Sequence, residues 1–173
     1  VVGWNMRTNG WRDAWYLLEG SPTRHLWIDD IADDYPEVDV LVIPRLDPPN
    51  RVAHPGPRVF GGAAYFPLDV RGSRVVPPLH ERPREALLTL GGSDPTEASL
   101  RLAPMLAGTR STVVIGPGFR HRDELLRVAA SARLDVAVAP DGLRDLLVAH
   151  RLVISAGGDT LFEAAAAGTP ALV

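Results

Sequence analysis

The sequence predicts an α/β protein built on a parallel β-sheet, and three observations support this fold class. From residue 84 onwards, short apolar runs alternate with helical patterns about ten residues long. Glycine-rich turns follow several of the apolar runs. Hydrophobic residues make up 46% of the 173-residue chain, which is enough for a packed core. Strands that alternate with helices form βαβ units, whose strands run parallel.

Five strands joined by four helical crossovers are predicted between residues 84 and 173. The first helix has the clearest start signal, because Asp94 is expected at its N-cap, Pro95 at its first position and Glu97 at its third. The predicted strands are 86–90, 112–115, 134–138, 152–155 and a last one at the end of the chain. The predicted helices are 95–106, 122–132, a short one ending near residue 150, and 161–167.

The segment before residue 84 is predicted to be the tail of a second α/β domain. Strands are expected at 26–29 and 38–43. Nine of the sixteen prolines lie between Pro44 and Pro83, and this density predicts an extended, loop-rich connection without helix or central strand. The composition changes near residue 84, which gives two predicted domains, 1–83 and 84–173. Because the chain opens without Met and stops inside an apolar run, we expect a fragment in which both domains are incomplete.

The composition excludes several classes of chemistry. The absence of Cys excludes disulfides, Cys-bound zinc and thiol catalysis. All 18 basic residues are Arg, so a Schiff-base lysine and the P-loop lysine are also excluded. The net charge of −3 is spread evenly and does not favour nucleic-acid binding. With no apolar run of about 18 residues and no signal-peptide pattern, no transmembrane segment is expected and the predicted location is the cytoplasm.

Three glycine-bearing loops are expected at the carboxyl edge of the sheet, where ligands of open parallel sheets bind. They cover residues 91–93, 116–118 and 156–160. Glycine lets the backbone approach a phosphate closely, and a following helix N-terminus offers free N–H groups. Glycine also simply permits tight turns, and for one Gly-Gly pair that is the more common explanation. Two Gly-Gly loops at one sheet edge favour the phosphate site.

Carboxylates and histidines have weaker signals. Glu163, four residues into the last helix, is a candidate for ribose hydroxyls, with interaction with the helix dipole as the alternative. Asp94 is better explained as a helix cap than as a catalyst. The cluster of Asp29, Asp30, Asp33 and Asp34 is more typical of a helix start or a solvated turn than of a cation site, so no metal is predicted. The five histidines have no ligand spacing, and none is a convincing base.

The motifs at residues 90–95 (LGGSDP), 142–147 (GLRDLL) and 152–163 (LVISAGGDTLFE) resemble a known group. They are similar to the carboxyl-terminal domain of the UDP-sugar hydrolase of pseudaminic acid biosynthesis and its spore-coat polysaccharide relatives. These proteins belong with the peptidoglycan N-acetylglucosaminyl transferase in the GT-B superfamily. Residues 27–33 and 57–62 resemble the second half of that family's amino-terminal domain. The resemblance covers residues 26–173.

The resemblance implies two Rossmann-like domains with a nucleotide sugar, held by its UDP moiety, in the cleft between them. It implies no cofactor. Either water or an acceptor hydroxyl displaces UDP from the anomeric carbon, so a hydrolase is expected, with a transferase and a non-catalytic binding module as alternatives. Glu163 is implied for the ribose and Leu143 for the base. The remaining predicted nucleotide-binding residues, at or beside the diphosphate, are Gly91, Gly92, Ser93, Gly157, Gly158, Asp159 and Thr160.

The family's catalytic histidine lies in a Gly-x-Gly-His-x-x-Arg pattern near the start of the amino-terminal domain. The stretch at residues 2–7 (VGWNMR) has no histidine. No catalytic residue is therefore predicted from this chain, and neither the sugar nor the oligomeric state follows from the sequence.

Overall fold

The protein contains two β-sheets, and the strands within each sheet run parallel. The structure is a computed structural model that describes residues 2–4, 20–28, 37–44, 58–68 and 75–173. The chain divides into two compact units, Val1–Pro67 and Leu68–Val173. Each unit contains one of the sheets, and the predicted α/β class with parallel sheets is confirmed.

The sheet of the first unit has four described strands in the order β1-β2-β3-β4, all parallel. The strands predicted at 26–29 and 38–43 are confirmed as β2 and β3. An extended, loop-rich connection without a central strand was expected in the proline-rich stretch, and a short strand, β4, forms there. Within the described sheet β4 pairs only with β3, and its residues are exposed. An edge strand tolerates flanking prolines because one side needs no partner. The strands are β1 (Val2–Trp4), β2 (His25–Ile28), β3 (Val40–Ile43) and β4 (Arg58–Gly61).

The second unit alternates strands and helices as the sequence predicts. Its five strands are all parallel, in the order β7-β6-β5-β8-β9. They are β5 (Arg84–Thr89), β6 (Thr112–Ile115), β7 (Asp135–Val138), β8 (His150–Ser155) and β9 (Ala171–Leu172). The helices are α1 (Ala98–Leu102), α2 (Arg122–Ala132), α3 (Arg144–Ala149) and α4 (Asp159–Ala166).

Helix α1 begins later than predicted, and the expected N-cap position of Asp94 is wrong. Glu97 is the N-cap, and both Asp94 (φ 39°) and Glu97 (φ 54°) have left-handed backbones. The Asp94 carboxylate nevertheless accepts hydrogen bonds from the backbone N–H groups of Ala98 (3.1 Å) and Ser99 (2.9 Å). The residue types of the capping pattern were therefore informative, but a turn separates the carboxylate from the helix that it caps. Beyond Leu102 the helix tightens into a 3₁₀ turn that contains Pro104, which has no N–H to donate.

Helices cover both faces of the second sheet. Successive residues of a strand point to opposite faces, so neighbouring strand residues belong to different cores. Leu88 and Val113 belong to a core with residues of α1 and α2. Leu87, Val114 and Val153 belong to a second core, with residues of α3 and α4. The second unit is thus a three-layer, Rossmann-like α/β structure.

Residues 75–83 are fastened to the second unit through the buried side chain of Arg82. Its guanidinium donates to the carbonyls of His150 (2.8 Å) and Ala167 (3.0 Å) and to the hydroxyl of Thr169 (2.7 Å). Carbonyls at helix C-termini carry partial negative charge, so they stabilise this cation without a carboxylate. The second unit therefore extends upstream of the composition change at residue 84.

Within the described residues, no helix combines the length and apolar character needed to cross a membrane.

Candidate functional site

The two Gly-Gly loops of the second unit start side by side at one edge of the sheet. β5 and β8 are neighbours, and Thr89 at the end of β5 is paired with Ser155 at the end of β8. From β5 the chain crosses to β6 on one side, whereas from β8 it crosses to β9 on the other. This reversal is the topological switch point, which opens a crevice outside the carboxyl ends of the two strands.

The loop after β5 presents exposed backbone at this crevice. Gly91, Gly92 and Ser93 are all exposed. Gly91 has a φ of 82°, which favours glycine, and a Cβ added to Gly91 or Gly92 would have no atom within 4 Å. A ligand can therefore approach the backbone of both glycines closely.

The loop after β8 leads directly into helix α4. Gly158 is the N-cap of α4 with φ 67° and ψ −148°, a conformation essentially limited to glycine, and no side chain caps the helix there. Gly157 has a φ of 94°, and its N–H donates to the hydroxyl of Ser155 (3.2 Å). Asp159 is exposed at the first position of α4, whereas Thr160 is buried. The first turn of α4 thus offers N–H groups and a partial positive charge at the crevice.

The third glycine loop supports the first one by close packing. A Cβ on Gly116 would lie 2.5 Å from the carbonyl oxygen of Gly92 and 2.6 Å from that of Gly91. The N–H of Gly118 donates to the Gly92 carbonyl (2.8 Å). For Gly116 the close-packing explanation of glycine therefore applies, and this packing holds the β5–α1 loop in place.

A buried polar cluster lies beneath the β5–α1 loop, and the sequence did not predict it. Ser99 donates its hydroxyl hydrogen to Asp94 (2.5 Å), and the Nε2 of His121 lies 3.0 Å from the Ser99 hydroxyl and 3.3 Å from the Asp94 carboxylate. Burial by itself raises the pKa of Asp94, but the hydrogen bonds from Ser99 and Ala98, together with His121, hold that pKa below its ordinary value. Residues 94 and 121 are far apart in the sequence, so only the fold could reveal the contact.

The candidates for base and ribose lie at the same edge of the sheet. Leu143 is the N-cap of α3 and packs, partly buried, against the core of α3 and α4. It follows β7, which is separated from β5 by β6. Glu163 is half-buried on α4, one turn after Asp159. The structure therefore places the starts of the two Gly-Gly loops side by side, whereas Leu143 lies further along the same edge of the sheet.

The other polar candidates do not form a site in the part of the chain that the structure describes. Asp29, Asp30, Asp33 and Asp34 lie outside the described residues. Among the described ones, no group of three or more His, Asp or Glu is placed to hold a metal ion.

His150 is fully buried at the start of β8. Its Nδ1 donates to the Leu146 carbonyl (2.6 Å), and its Nε2 lies 2.9 Å from the Thr112 hydroxyl. Both ring nitrogens are thereby engaged inside the protein, which makes His150 a structural residue.

Comparison with known proteins identifies a relative but does not assign a family. No family model matches the chain. A protein of Methanocaldococcus jannaschii, named Uncharacterized protein MJ1062, is 32% identical over 98 residues, which cover 52% of this chain and 20% of that protein. The match thus spans about a fifth of the relative's length, and the relative's name gives no activity.

Proposed function

We propose that the protein is part of a GT-B-type enzyme in the synthesis of bacterial surface glycans. This enzyme hydrolyses a UDP-sugar and releases UDP from the anomeric carbon. The second unit binds the nucleotide. The observation that carries the proposal is the meeting of two Gly-Gly loops at the switch point of a Rossmann-like sheet, beside the open N-terminus of α4.

The chemistry of the crevice suits a diphosphate. In this proposal, backbone N–H groups and the dipole of α4 hold the anion, and the chain has no Lys that could take part. Gly92 and Gly158 leave the space next to the backbone open, which lets phosphate oxygens reach those N–H groups. The same N–H dipoles stabilise the charge that develops on the departing UDP, and no metal ion is needed for that step.

A hydrogen-bond acceptor is placed for the ribose of the nucleotide, and an apolar side chain is placed for its base. The Glu163 carboxylate, one turn into α4, accepts hydrogen bonds from ribose hydroxyls, as acidic residues do in other Rossmann-like sites. Leu143, partly buried at the start of α3, offers apolar contact to the base. These two roles rest on the family resemblance together with the position of each residue.

A calorimetric titration of the intact protein with UDP tests this assignment. We expect saturable binding that falls at least tenfold in Gly158→Asp, which places a carboxylate and a strained backbone at the diphosphate, and several-fold in Glu163→Ala. Gly108→Asp is the matched control. Gly108 also has a positive φ (82°), and a Cβ added there would meet nothing within 4 Å, but Gly108 precedes β6 at the opposite edge of the sheet. Unchanged affinity in both site variants would refute the assignment.

Turnover separates the proposed hydrolase from its alternatives. Release of UDP and free sugar from a UDP-sugar without an acceptor identifies a hydrolase. Release that depends on an added acceptor identifies a transferase. Binding without turnover identifies a binding module. If millimolar UDP does not bind, the glycine loops serve only as turns.

A further inference from the structure

A cavity of about 400 Å³ lies at the amino ends of β5, β6 and β7, at the edge of the sheet opposite the two Gly-Gly loops. Its size falls within the range of roughly 300–1,000 Å³ that is usual for small-molecule sites. It belongs entirely to the second unit. The lining residues are Pro83, Arg84, Thr109, Arg110, Ser111, Arg133 and Asp135.

The strand order brings an arginine to the amino end of each of these three neighbouring strands. Arg84 is the first residue of β5, whereas Arg110 and Arg133 each lie two residues before β6 and β7. The Arg110 carbonyl accepts the N–H of Glu85 (3.0 Å), which continues the β5–β6 pairing up to this edge. Because neighbouring strands are about 4.8 Å apart, arginines at these positions line a single small cavity.

Two hydroxyl groups of the wall are fixed by hydrogen bonds. Ser111 is 1% exposed, and its hydroxyl accepts the N–H of Ala86 (3.1 Å). The Thr109 hydroxyl donates to the Leu106 carbonyl (2.6 Å) and lies 2.7 Å from that of Ser111. This part of the wall therefore needs no ligand to be in place.

The charged groups of the wall are not balanced. Asp135 is the one acid among the lining residues, and it forms an ion pair with Arg84. Arg110 and Arg133 are exposed, and neither side chain has a hydrogen-bond or ion-pair partner within the described residues. The wall thus carries more positive than negative charge, although the net charge of the chain is −3.

Arginines at this edge also complement the negative ends of helix dipoles, and Arg133 fits that explanation as the C-cap of α2. Arg110 does not, because the 3₁₀ turn that follows α1 ends at Leu106 and Gly108 intervenes. The dipole therefore accounts for one of the two unpaired arginines and leaves the other to be explained by a ligand.

The ion pair of Arg84 and Asp135 indicates the chemistry of that ligand, because it already sets guanidinium donors against carboxylate oxygens in this cavity. A planar guanidinium can donate two parallel hydrogen bonds to one carboxylate. An acid with two carboxylates can therefore occupy both unpaired arginines at once. The lining has no aromatic side chain, and Pro83 is its one apolar side chain, so a nucleoside base finds little surface to contact.

We infer that this cavity binds a small acid with two or more carboxylates, which Arg110 and Arg133 hold. The inference goes beyond the proposed function and does not depend on it, because the cavity and the nucleotide crevice lie at opposite edges of the sheet. It assigns the protein a second ligand of a different chemical class from a nucleotide.

Calorimetric titration of the intact protein at constant ionic strength tests the inference. The probes are citrate with three carboxylates, acetate with one, and pyrophosphate as an anion without carboxylates. The cavity variants are Arg110→Met and Arg133→Met. Arg101→Met on α1 and Arg122→Met on α2 are the matched controls, because each removes one exposed arginine away from the cavity.

We expect saturable binding of citrate at millimolar concentration or below, and none of acetate. Each cavity variant should raise the dissociation constant of citrate about tenfold, which is the loss expected for a hydrogen bond between charged groups. The controls should stay within about twofold of the wild type, since salt screens a distant charge. Citrate should shift the amide resonances of Thr109, Arg110 and Ser111, and saturating UDP should leave its affinity unchanged.

The inference fails if millimolar citrate does not bind, or if the control variants weaken citrate as much as the cavity variants do. Tighter binding of pyrophosphate through the same arginines would overturn the carboxylate class. Displacement of citrate by UDP, or citrate-induced shifts at Gly92 and Gly158 instead, would place citrate in the nucleotide crevice and overturn the separate site. If UDP does not bind at all, the proposed function fails, whereas the citrate titration still decides this inference.

Discussion

Thr89 and Ser155 are paired across β5 and β8, and each is the last residue of its strand. This pairing brings together two Gly-Gly loops that are separated by more than sixty residues in the sequence. Each loop leads towards a helix on a different face of the sheet. The crevice between them is the structural basis of the proposed nucleotide site.

Substitution by Ala should weaken UDP binding at Gly92, whereas at Gly116 it should lower the free energy of unfolding. A Cβ on Gly92 meets nothing within 4 Å, so Gly92→Ala should change the free energy of unfolding by less than about 1 kcal/mol but weaken UDP binding about tenfold by obstructing the phosphate. Gly116→Ala should cost about 1–3 kcal/mol, because its Cβ would overlap the Gly92 carbonyl. Urea denaturation and UDP titration of both variants check this. A Gly92→Ala variant that binds UDP as the wild type does would show that phosphate does not approach this residue.

Ser155 should hold the β8–α4 loop through its hydroxyl. The hydroxyl accepts the Gly157 N–H (3.2 Å), so Ser155→Ala should lower the free energy of unfolding by about 1 kcal/mol and weaken UDP binding several-fold. Ser131→Ala, on the exposed surface of α2, is the control in both assays. Wild-type UDP affinity in Ser155→Ala would mean that the hydrogen bond does not shape the site.

Arg82 should be among the residues on which stability depends most. Both Arg82→Met and Arg82→Lys remove hydrogen bonds that the buried guanidinium donates to the carbonyls of Leu147, His150 and Ala167, so we expect a loss of more than about 3 kcal/mol in the free energy of unfolding. Lys keeps the charge but not the forked geometry of the guanidinium. Urea denaturation followed by circular dichroism measures the loss. Arg101→Met, an exposed change on α1, should stay within about 0.5 kcal/mol, and an equally small effect of Arg82→Lys would contradict this role.

His150 should make the protein less stable as the pH falls. Burial, helped by the charge of Arg84, holds the pKa of His150 below its ordinary value of 6.5 despite the hydrogen bond to Leu146. The unfolded chain therefore binds a proton at His150 that the folded chain does not. The stabilisation is complete above pH 6.5 and is lost as the pH falls below that value, with a slope of at most about 1.4 kcal/mol per pH unit.

The measurement for His150 is urea denaturation between about pH 5 and 8, where histidines are the side chains that ordinarily titrate. The lowered pKa of Asp94 acts in a separate window below its ordinary value of 3.8. His150→Gln should flatten the pH dependence relative to the wild type. An equal slope in the two proteins would assign the effect to other groups.

Much of the second unit could be predicted from the sequence, because its signals are local. Apolar runs between glycine turns predicted the strands, and α2 was predicted with the bounds that it has. The start of α1 was misplaced, since a carboxylate in a turn can cap a helix from several residues away, as Asp94 does. Strand β4 was missed because proline density argues against a central strand and does not exclude an edge strand.

The candidate site was predictable in its parts but not in its assembly. The glycine loops were visible as Gly91-Gly92 and Gly157-Gly158 in the sequence. Their adjacency depends on the strand order, which long-range packing decides. The same holds for the contact of Asp94 with His121, because neither residue has a local pattern that points to the other.

The most direct test of the central claim is a titration of the ¹⁵N-labelled intact protein with UDP, followed by the backbone amide resonances. We predict saturable shifts at Gly92, Ser93, Gly157 and Gly158, at the carboxyl edge of β5 and β8, and none at Gly108 at the opposite edge. The absence of saturable shifts at those four amides up to millimolar UDP, or shifts confined to the opposite edge, would contradict the account.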